Sequence, residues 1–191
     1  MITAYQDGVY KLLAIDPGGH KCGISLFTFN LKEKKILSID SFTINVEKLK
    51  NDTGFPEELL RNKFLAYYKL RNEILRLLQR FKPDIVGYEA PFMNSKQPSA
   101  YGPLVSMMTL IYDAVVTYNL GSEFYTIQPQ QTKKAVGVAG KKSKEVVTEA
   151  VMKIPELMEA LTVDIKTLDD NAIDSIAVGW YVLKYYLYKN T

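Results

Sequence analysis

The patterning of apolar residues changes from strand-type to helix-type near residue 57, and this change most restricts the fold. Before it, three stretches have strand character: the apolar run Lys11–Ile15, the segment 22–30 rich in β-formers, and the partly alternating segment 35–44. The turn sequence Asp-Pro-Gly-Gly separates the first two stretches closely, which predicts an antiparallel hairpin.

Helical spacing of apolar residues extends from Glu57 to Phe81, and Lys82-Pro83 ends it. A short apolar strand is predicted over 84–89. Because a long helix connects the hairpin to this strand, parallel pairing with an earlier strand is favoured. A second apolar helix over 99–118 and a fifth strand over 123–128 continue the alternation.

The last third of the chain is predicted to hold a basic loop with short helices over 130–160 and a final helix over 171–188. This order of elements predicts the α/β class, with a mixed five-stranded sheet and helices on both of its faces. A chain of 191 residues suits one such domain spanning 1–191.

Cysteine and histidine are too scarce for several kinds of site. Cys22 is the only cysteine, which excludes an internal disulfide. His20 is the only histidine, which excludes a histidine-rich zinc site. A bound metal must therefore be held mainly by oxygen, which favours Mg²⁺ or Mn²⁺.

Hydropathy bears on the compartment. The N-terminal segment lacks the apolar run of a secretory leader, and no apolar stretch approaches the roughly 18 residues that span a bilayer. We therefore expect no membrane partner and a cytoplasmic protein of bacterial or phage type, or an organellar one in a eukaryote.

Two carboxylates are predicted at the ends of strands. Asp16 follows the first strand and Glu89 ends the fourth. If these strands lie parallel and adjacent, both side chains emerge at one edge of the sheet, where open α/β sheets place ligands. The alternatives are that Asp16 only begins a turn and that Glu89 is a solvated edge residue.

More acidic residues stand at the start of the final helix, in the segment LDDNAIDSIAV. Asp170 and Asn171 lie four and three residues before Asp174, so on a helix either one shares a face with it. Asp169 is expected to be a helix N-cap, which is also the alternative for Asp170. Docking of this helix beside Asp16 would gather carboxylates that repel one another unless divalent cations neutralise them.

A cluster of acids without thiol or imidazole ligands is typical of two-metal phosphodiester hydrolysis. The predicted cofactor is therefore two Mg²⁺ or Mn²⁺ ions. The residues predicted to bind these ions and to support catalysis are Asp16, Glu89, Asp170 and Asp174.

Three segments carry a family resemblance: Ile15–Gly19 (IDPGG), Tyr88–Met93 (YEAPFM) and Asp170–Ala177 (DNAIDSIA). In order and spacing they resemble the acidic motifs of the RuvC-type Holliday junction resolvases, members of the RNase H-like nuclease superfamily. The resemblance covers nearly the whole chain from Leu12 onward. It implies an RNase H-like fold and a homodimeric crossover junction endodeoxyribonuclease, dependent on Mg²⁺ or Mn²⁺, that makes paired nicks in four-way DNA junctions.

The resemblance also assigns individual acids. Asp16, Glu89 and Asp174 match catalytic acids of the family, but the position three residues before the last acid holds Asn171. The nearest carboxylate is Asp170, which we favour as the ligand, with Asn171 as the alternative.

DNA contacts are implied in two further places. Phe92 matches an aromatic residue that stacks on bases at the junction centre, and its alternative is a place in the core. A basic stretch is expected to contact phosphates, with Lys134 or Lys142 reaching the scissile phosphate; its alternative is an ordinary solvated surface. The lysines expected to bind DNA are Lys133, Lys134, Lys141, Lys142 and Lys144.

Other functions and arrangements stay open at this point. A RuvC-like nuclease acting on flaps, branched replication intermediates or RNA would use the same acids. A non-catalytic RNase H-like module that binds nucleic acid would not need them. The apolar helix over 99–118 is expected to supply a subunit interface or to be buried within the monomer.

Overall fold

The computed structural model describes residues 8–51, 63–92, 98–119, 123–138 and 144–188. The strands in this part of the chain are β1 (Val9–Pro17), β2 (Lys21–Asn30), β3 (Lys35–Asn45), β4 (Ile85–Glu89) and β5 (Glu123–Ile127). The helices are α1 (Lys63–Phe81), α2 (Tyr101–Tyr118), α3 (Pro129–Ala135), α4 (Lys144–Met152), α5 (Pro155–Ala160) and α6 (Asp170–Val182).

The five strands form one mixed sheet in the order β3-β2-β1-β4-β5. β2 pairs antiparallel with both β1 and β3, which confirms the predicted hairpin and third strand. β4 lies parallel to β1, and β5 lies parallel to β4. The connection through α1 therefore produces the parallel pairing that its length predicted.

Side chains along β1 alternate between two apolar layers, one on each face of the sheet. Leu13 and Ile15 pack in the layer that includes residues of α1 and α2. Leu12 and Ala14 pack in the layer that includes residues of α6. The mixed five-stranded α/β sheet with helices on both faces is thus confirmed, and the period of two decides which strand residues face α6.

Helix α6 lies unusually close to the sheet, and two glycines make this approach feasible. A Cβ built on Gly23 of β2 would overlap the backbone of Asn171 in the first turn of α6. A Cβ built on Gly179 of α6 would overlap the ring of Phe27. Both ends of α6 are therefore seated against β2 by positions that carry no side chain.

The short helices predicted within the basic region 130–160 are confirmed as α3, α4 and α5. The final helix begins at Asp170 and continues into a π-helical turn, Leu183–Leu187. The predicted start of the first helix, 57–62, lies outside the described residues. Among the helices described, none combines the length and the apolar character that crossing a membrane requires.

Candidate active site

Asp16 and Glu89 lie at the same edge of the sheet and on the same face. Ile15 pairs with Tyr88 across the parallel β1–β4 ladder, and both are buried in the layer away from α6. Because strand side chains alternate, the next residue on each strand, Asp16 and Glu89, faces α6. Their convergence at this edge is the arrangement that the two strand ends predicted.

The two carboxylates are close enough to share a hydrogen bond. Burial raises the pKa of Glu89 well above its usual range, and the neighbouring charges of Asp16 and Asp174 raise it further. Lys133 opposes this rise with its positive charge. Glu89 is therefore the group most affected by the crowding of negative charge at this edge.

Asp174 reaches this cluster from α6. Two contacts of the Asp169 carboxylate fix the start of this helix. It accepts a hydrogen bond from the backbone N–H of Ala172 at 3.2 Å and binds Lys21 at 2.8 Å. Thr43 of β3 donates a further hydrogen bond to Asp169. The expected N-cap role of Asp169 is confirmed.

Asp170 and Asn171 differ in their surroundings. Asp170 is exposed, and its charge acts on Lys21 at the outer side of the helix start. Asn171 is half-buried, and its Oδ1 would lie 3.3 Å from a Cβ built on Gly18, two residues after Asp16. The amide of Asn171, rather than the carboxylate of Asp170, thus lies beside the loop that carries Asp16.

The donor set fits a hard divalent cation. It consists of the carboxylate oxygens of Asp16, Glu89 and Asp174, two of which share a hydrogen bond. The amide oxygen of Asn171 lies by Gly18, in the loop that follows Asp16. Within the described ranges, no three acidic, cysteine or histidine side chains already lie at ligand spacing. Neighbouring carboxylates repel one another, and a cation bound between them would offset this repulsion and draw them closer together.

Lys133 contributes to this site in a way that the sequence did not indicate. It lies on α3, which begins directly after β5, and β5 is fastened to the end of β4 by a 2.7 Å hydrogen bond from the Ala90 N–H to the Ile127 carbonyl. The half-buried Lys133 consequently acts on Glu89, whereas the basic run suggested only a contact with DNA phosphates. The sequence signal for this placement was Pro129, which favours the start of a helix and closely follows a predicted strand.

The other predicted DNA contacts have mixed outcomes. Lys134 is exposed on α3, and the ring of Phe92 is 54% exposed, which rules out the alternative that Phe92 is a core residue. Lys141 and Lys142 lie outside the described residues. Lys144 begins α4, but its side chain is also outside what the structure describes.

The sequence was compared with models of protein families and with curated proteins. The family model described as "Crossover junction endodeoxyribonuclease RuvC" matches residues 12–179. Among curated proteins, none matches the chain.

Several solved structures share the fold. The chain is similar to Thermus thermophilus RuvC in complex with a Holliday junction substrate (17% identity, TM-score 0.64, 95% of this chain and 97% of the other). It is also similar to the yeast mitochondrial Holliday junction resolvase Ydc2 (17% identity, TM-score 0.62, 93% and 81%). The fowlpox virus resolvase with Holliday junction DNA is a third similar structure (16% identity, TM-score 0.54, 93% and 99%).

At 16–17% sequence identity, the similarity to these solved structures shows only a shared fold. The family model, in contrast, matches well over half of the chain. The acidic motifs around Asp16, Glu89 and Asp174 lie inside the matched range. The chain belongs to the RuvC family, with an RNase H-like fold.

Proposed function

We propose that this protein is a structure-selective DNA endonuclease that resolves four-way junctions by paired nicks. The observation that carries the proposal is the group of Asp16, Glu89 and Asp174 at one sheet edge, with Lys133 beside it. Membership of the RuvC family supports the reaction. The similar Thermus and fowlpox structures, both described with Holliday junction DNA, support the substrate.

Asp16, Glu89 and Asp174 are proposed to hold two Mg²⁺ or Mn²⁺ ions. Ions bound there would supply a nucleophilic hydroxide at neutral pH and neutralise the leaving oxygen. The carboxylates themselves hold the cations and thereby limit the approach of the phosphate to one edge of the sheet. Glu89, half-buried at a strand end, gains most from a cation because its negative charge is the costliest to keep there.

Asn171 is the better candidate for the fourth position of the metal site. Its amide oxygen lies beside the loop of Asp16, while Asp170 is exposed towards Lys21. This reverses the prediction made from the family resemblance, in which Asp170, as the nearest carboxylate, was favoured and Asn171 was the alternative. A neutral ligand there would leave the site with less negative charge than four acids provide.

Lys133 is proposed to neutralise the scissile phosphate. It already lies close enough to act on Glu89, so a phosphate bound at the acids would lie within reach of the same charge. Lys134, exposed on the same helix, and the segment with Lys141 and Lys142 are proposed to bind more distant phosphates. The exposed ring of Phe92, three residues after Glu89, is proposed to stack on an unpaired base.

A homodimer is proposed as the active form. Two acid clusters related by a two-fold axis match the near two-fold symmetry of a four-way junction. The exposed Tyr112 of α2 and the partly buried Leu104 and Met108 offer apolar surface for such a contact. Light scattering after gel filtration would give twice the 21.7 kDa chain mass if this assignment is right and a single chain mass if it is wrong.

The experiment that tests the function is a cleavage assay with Mg²⁺ on four substrates: a four-way junction, a flap, a duplex and single-stranded DNA. Symmetric nicks confined to the four-way junction are expected. Preferential flap cutting would instead favour a RuvC-like nuclease of other branched substrates. Binding of all forms without cleavage in either Mg²⁺ or Mn²⁺ would favour a non-catalytic module.

A further inference from the structure

A row of polar side chains lies between α6 and the sheet, where an apolar layer is the usual filling. Ser25 of β2 and Ser175 of α6 are fully buried, and Ser41 of β3 is almost so. Ser25 and Ser41 are direct cross-strand partners, so both side chains face α6. The three serines do not belong to the acid cluster, and the chemistry proposed above does not use them.

Their hydroxyls form one connected network. Ser25 Oγ lies 2.9 Å from Ser41 Oγ and 2.6 Å from Ser175 Oγ. Ser41 and Ser175 both donate to the carbonyl of Ala172, at 3.1 and 2.7 Å. The network therefore binds the backbone of the first turn of α6 as well as a side chain one turn later.

The network connects the elements that carry the acids. Gly23, two residues before Ser25 on the same strand, is the cross-strand partner of Asp16. Ser175 directly follows Asp174 on α6. The hydroxyls thus join the helix that carries Asp174 to the strand that neighbours Asp16.

A second brace lies nearer the edge of the sheet. Lys21 is two residues before Gly23, and Thr43 is the cross-strand partner of Gly23; both bind Asp169, the N-cap of α6. The start of α6 is therefore held from two sides of Gly23. An apolar contact would permit sliding along β2, but hydrogen bonds lose energy quickly when their distance or direction changes.

We propose that Ser25, Ser41 and Ser175 are positioning residues, which hold α6 at the register that brings Asp174 to Asp16 and Glu89. The inference rests on the proposed metal-dependent function, because the register matters for the spacing of those carboxylates. Removing the hydroxyl of Ser41 or Ser175 removes a hydrogen bond between α6 and the sheet, which weakens the hold on the helix start and lets it shift. Supporting residues of metal sites typically affect metal affinity or activity by about 10- to 100-fold.

The test compares Ser175→Ala and Ser41→Ala with Val182→Ala. Val182 is a buried residue of α6 near the opposite end of the helix, where its Cγ2 would lie 2.8 Å from a Cβ built on Gly87. All three variants should be less heat-stable than the wild type. Mn²⁺ binding is measured by electron paramagnetic resonance without DNA, and kcat and KM are measured on the four-way junction below the melting temperature of every variant.

We expect both serine variants to bind Mn²⁺ about tenfold more weakly and to lose kcat with little change in KM. Val182→Ala should keep wild-type Mn²⁺ affinity and kcat at a matched loss of melting temperature. If Ser175→Ala does not fold, Ser41→Ala alone decides the comparison. Ser41 lies on β3, so its replacement does not change the sequence of α6.

Serine variants that lose heat stability but keep wild-type Mn²⁺ affinity and kcat would overturn the positioning role. A different result would contradict the proposed function: a wild-type protein that neither binds Mn²⁺ nor cleaves the junction. A wild-type protein that cleaves, with unaffected serine variants, refutes only the positioning role.

Discussion

Replacement of Gly23 by alanine is the most direct way to move α6 without changing a charge. The added Cβ would overlap the carbonyl group of Asn171, far inside the 3.0 Å below which real Cβ atoms are essentially never found. Non-bonded carbon atoms rest about 3.5–4.0 Å apart, so the first turn of α6 must move away by about 1 Å or more. Asp174, one turn later on the same helix, would move away from Asp16 and Glu89.

Two effects of Gly23→Ala can be estimated. Overpacking of a tight contact typically costs about 1–3 kcal/mol of the free energy of unfolding. A displacement of about 1 Å at a catalytic group typically costs about 100-fold in rate. We therefore expect a folded protein with a lower melting temperature and about 100-fold slower junction cleavage. Junction binding should change little, because Lys134 is exposed on α3 and keeps its charge in the variant.

The assay is single-turnover cleavage of a four-way junction in saturating Mg²⁺, with thermal unfolding by circular dichroism. Gly102→Ala is the matched control, since a Cβ built there has no atom within 4 Å. It should keep wild-type activity and stability. A Gly23→Ala variant that cleaves at the wild-type rate would show that the register of α6 does not govern the acid cluster.

Three further predictions concern the helix start and the basic surface. Asn171→Ala should reduce cleavage more than Asp170→Asn, and the opposite ranking in the same assay would return the ligand to Asp170. The Asp169 pKa is about 2: burial opposes this lowering, but hydrogen bonds from Lys21, Thr43 and the Ala172 N–H outweigh it. The resulting stabilisation is complete above about pH 4 and is lost towards pH 2. Asp169→Ala should therefore lower the free energy of unfolding, measured by urea denaturation, by about 1 kcal/mol at pH 7. The difference between the wild type and the variant should narrow below pH 4, and a difference that stays the same at every pH would contradict this prediction. Junction affinity should fall steeply with salt, and Lys134→Ala should reduce the slope of log affinity against log salt by about 1; an equal slope would remove Lys134 from the phosphate contacts.

The position of the two strand-end acids was predictable because it follows from short-range rules. A long helix between strands favours parallel pairing, and parallel strands end at one edge. The period of two along β1 and β4 then places Asp16 and Glu89 on one face, given that Ile15 and Tyr88 are buried on the other.

The surroundings of the acids were less predictable because they depend on how helices pack. The contact of the first turn of α6 with Gly23 fixes how the helix is rotated about its axis. This rotation turns Asn171 towards the loop of Asp16 and leaves Asp170 exposed. The position of Lys133 depends on the attachment of β5 to the end of β4. Serines in strands suggest a solvated face, so the buried partnership of Ser25 and Ser41 carried no sequence signal.

The metal-dependent role of the acid cluster is tested by four-way junction cleavage with the wild-type protein, Asp16→Asn and Glu89→Gln, with junction binding measured in parallel. A metal-dependent site at these acids predicts symmetric nicks by the wild type in Mg²⁺, none in EDTA, and none by either variant, while all three proteins bind the junction. Cleavage by either variant at the wild-type rate, or wild-type cleavage that persists in EDTA, would contradict it.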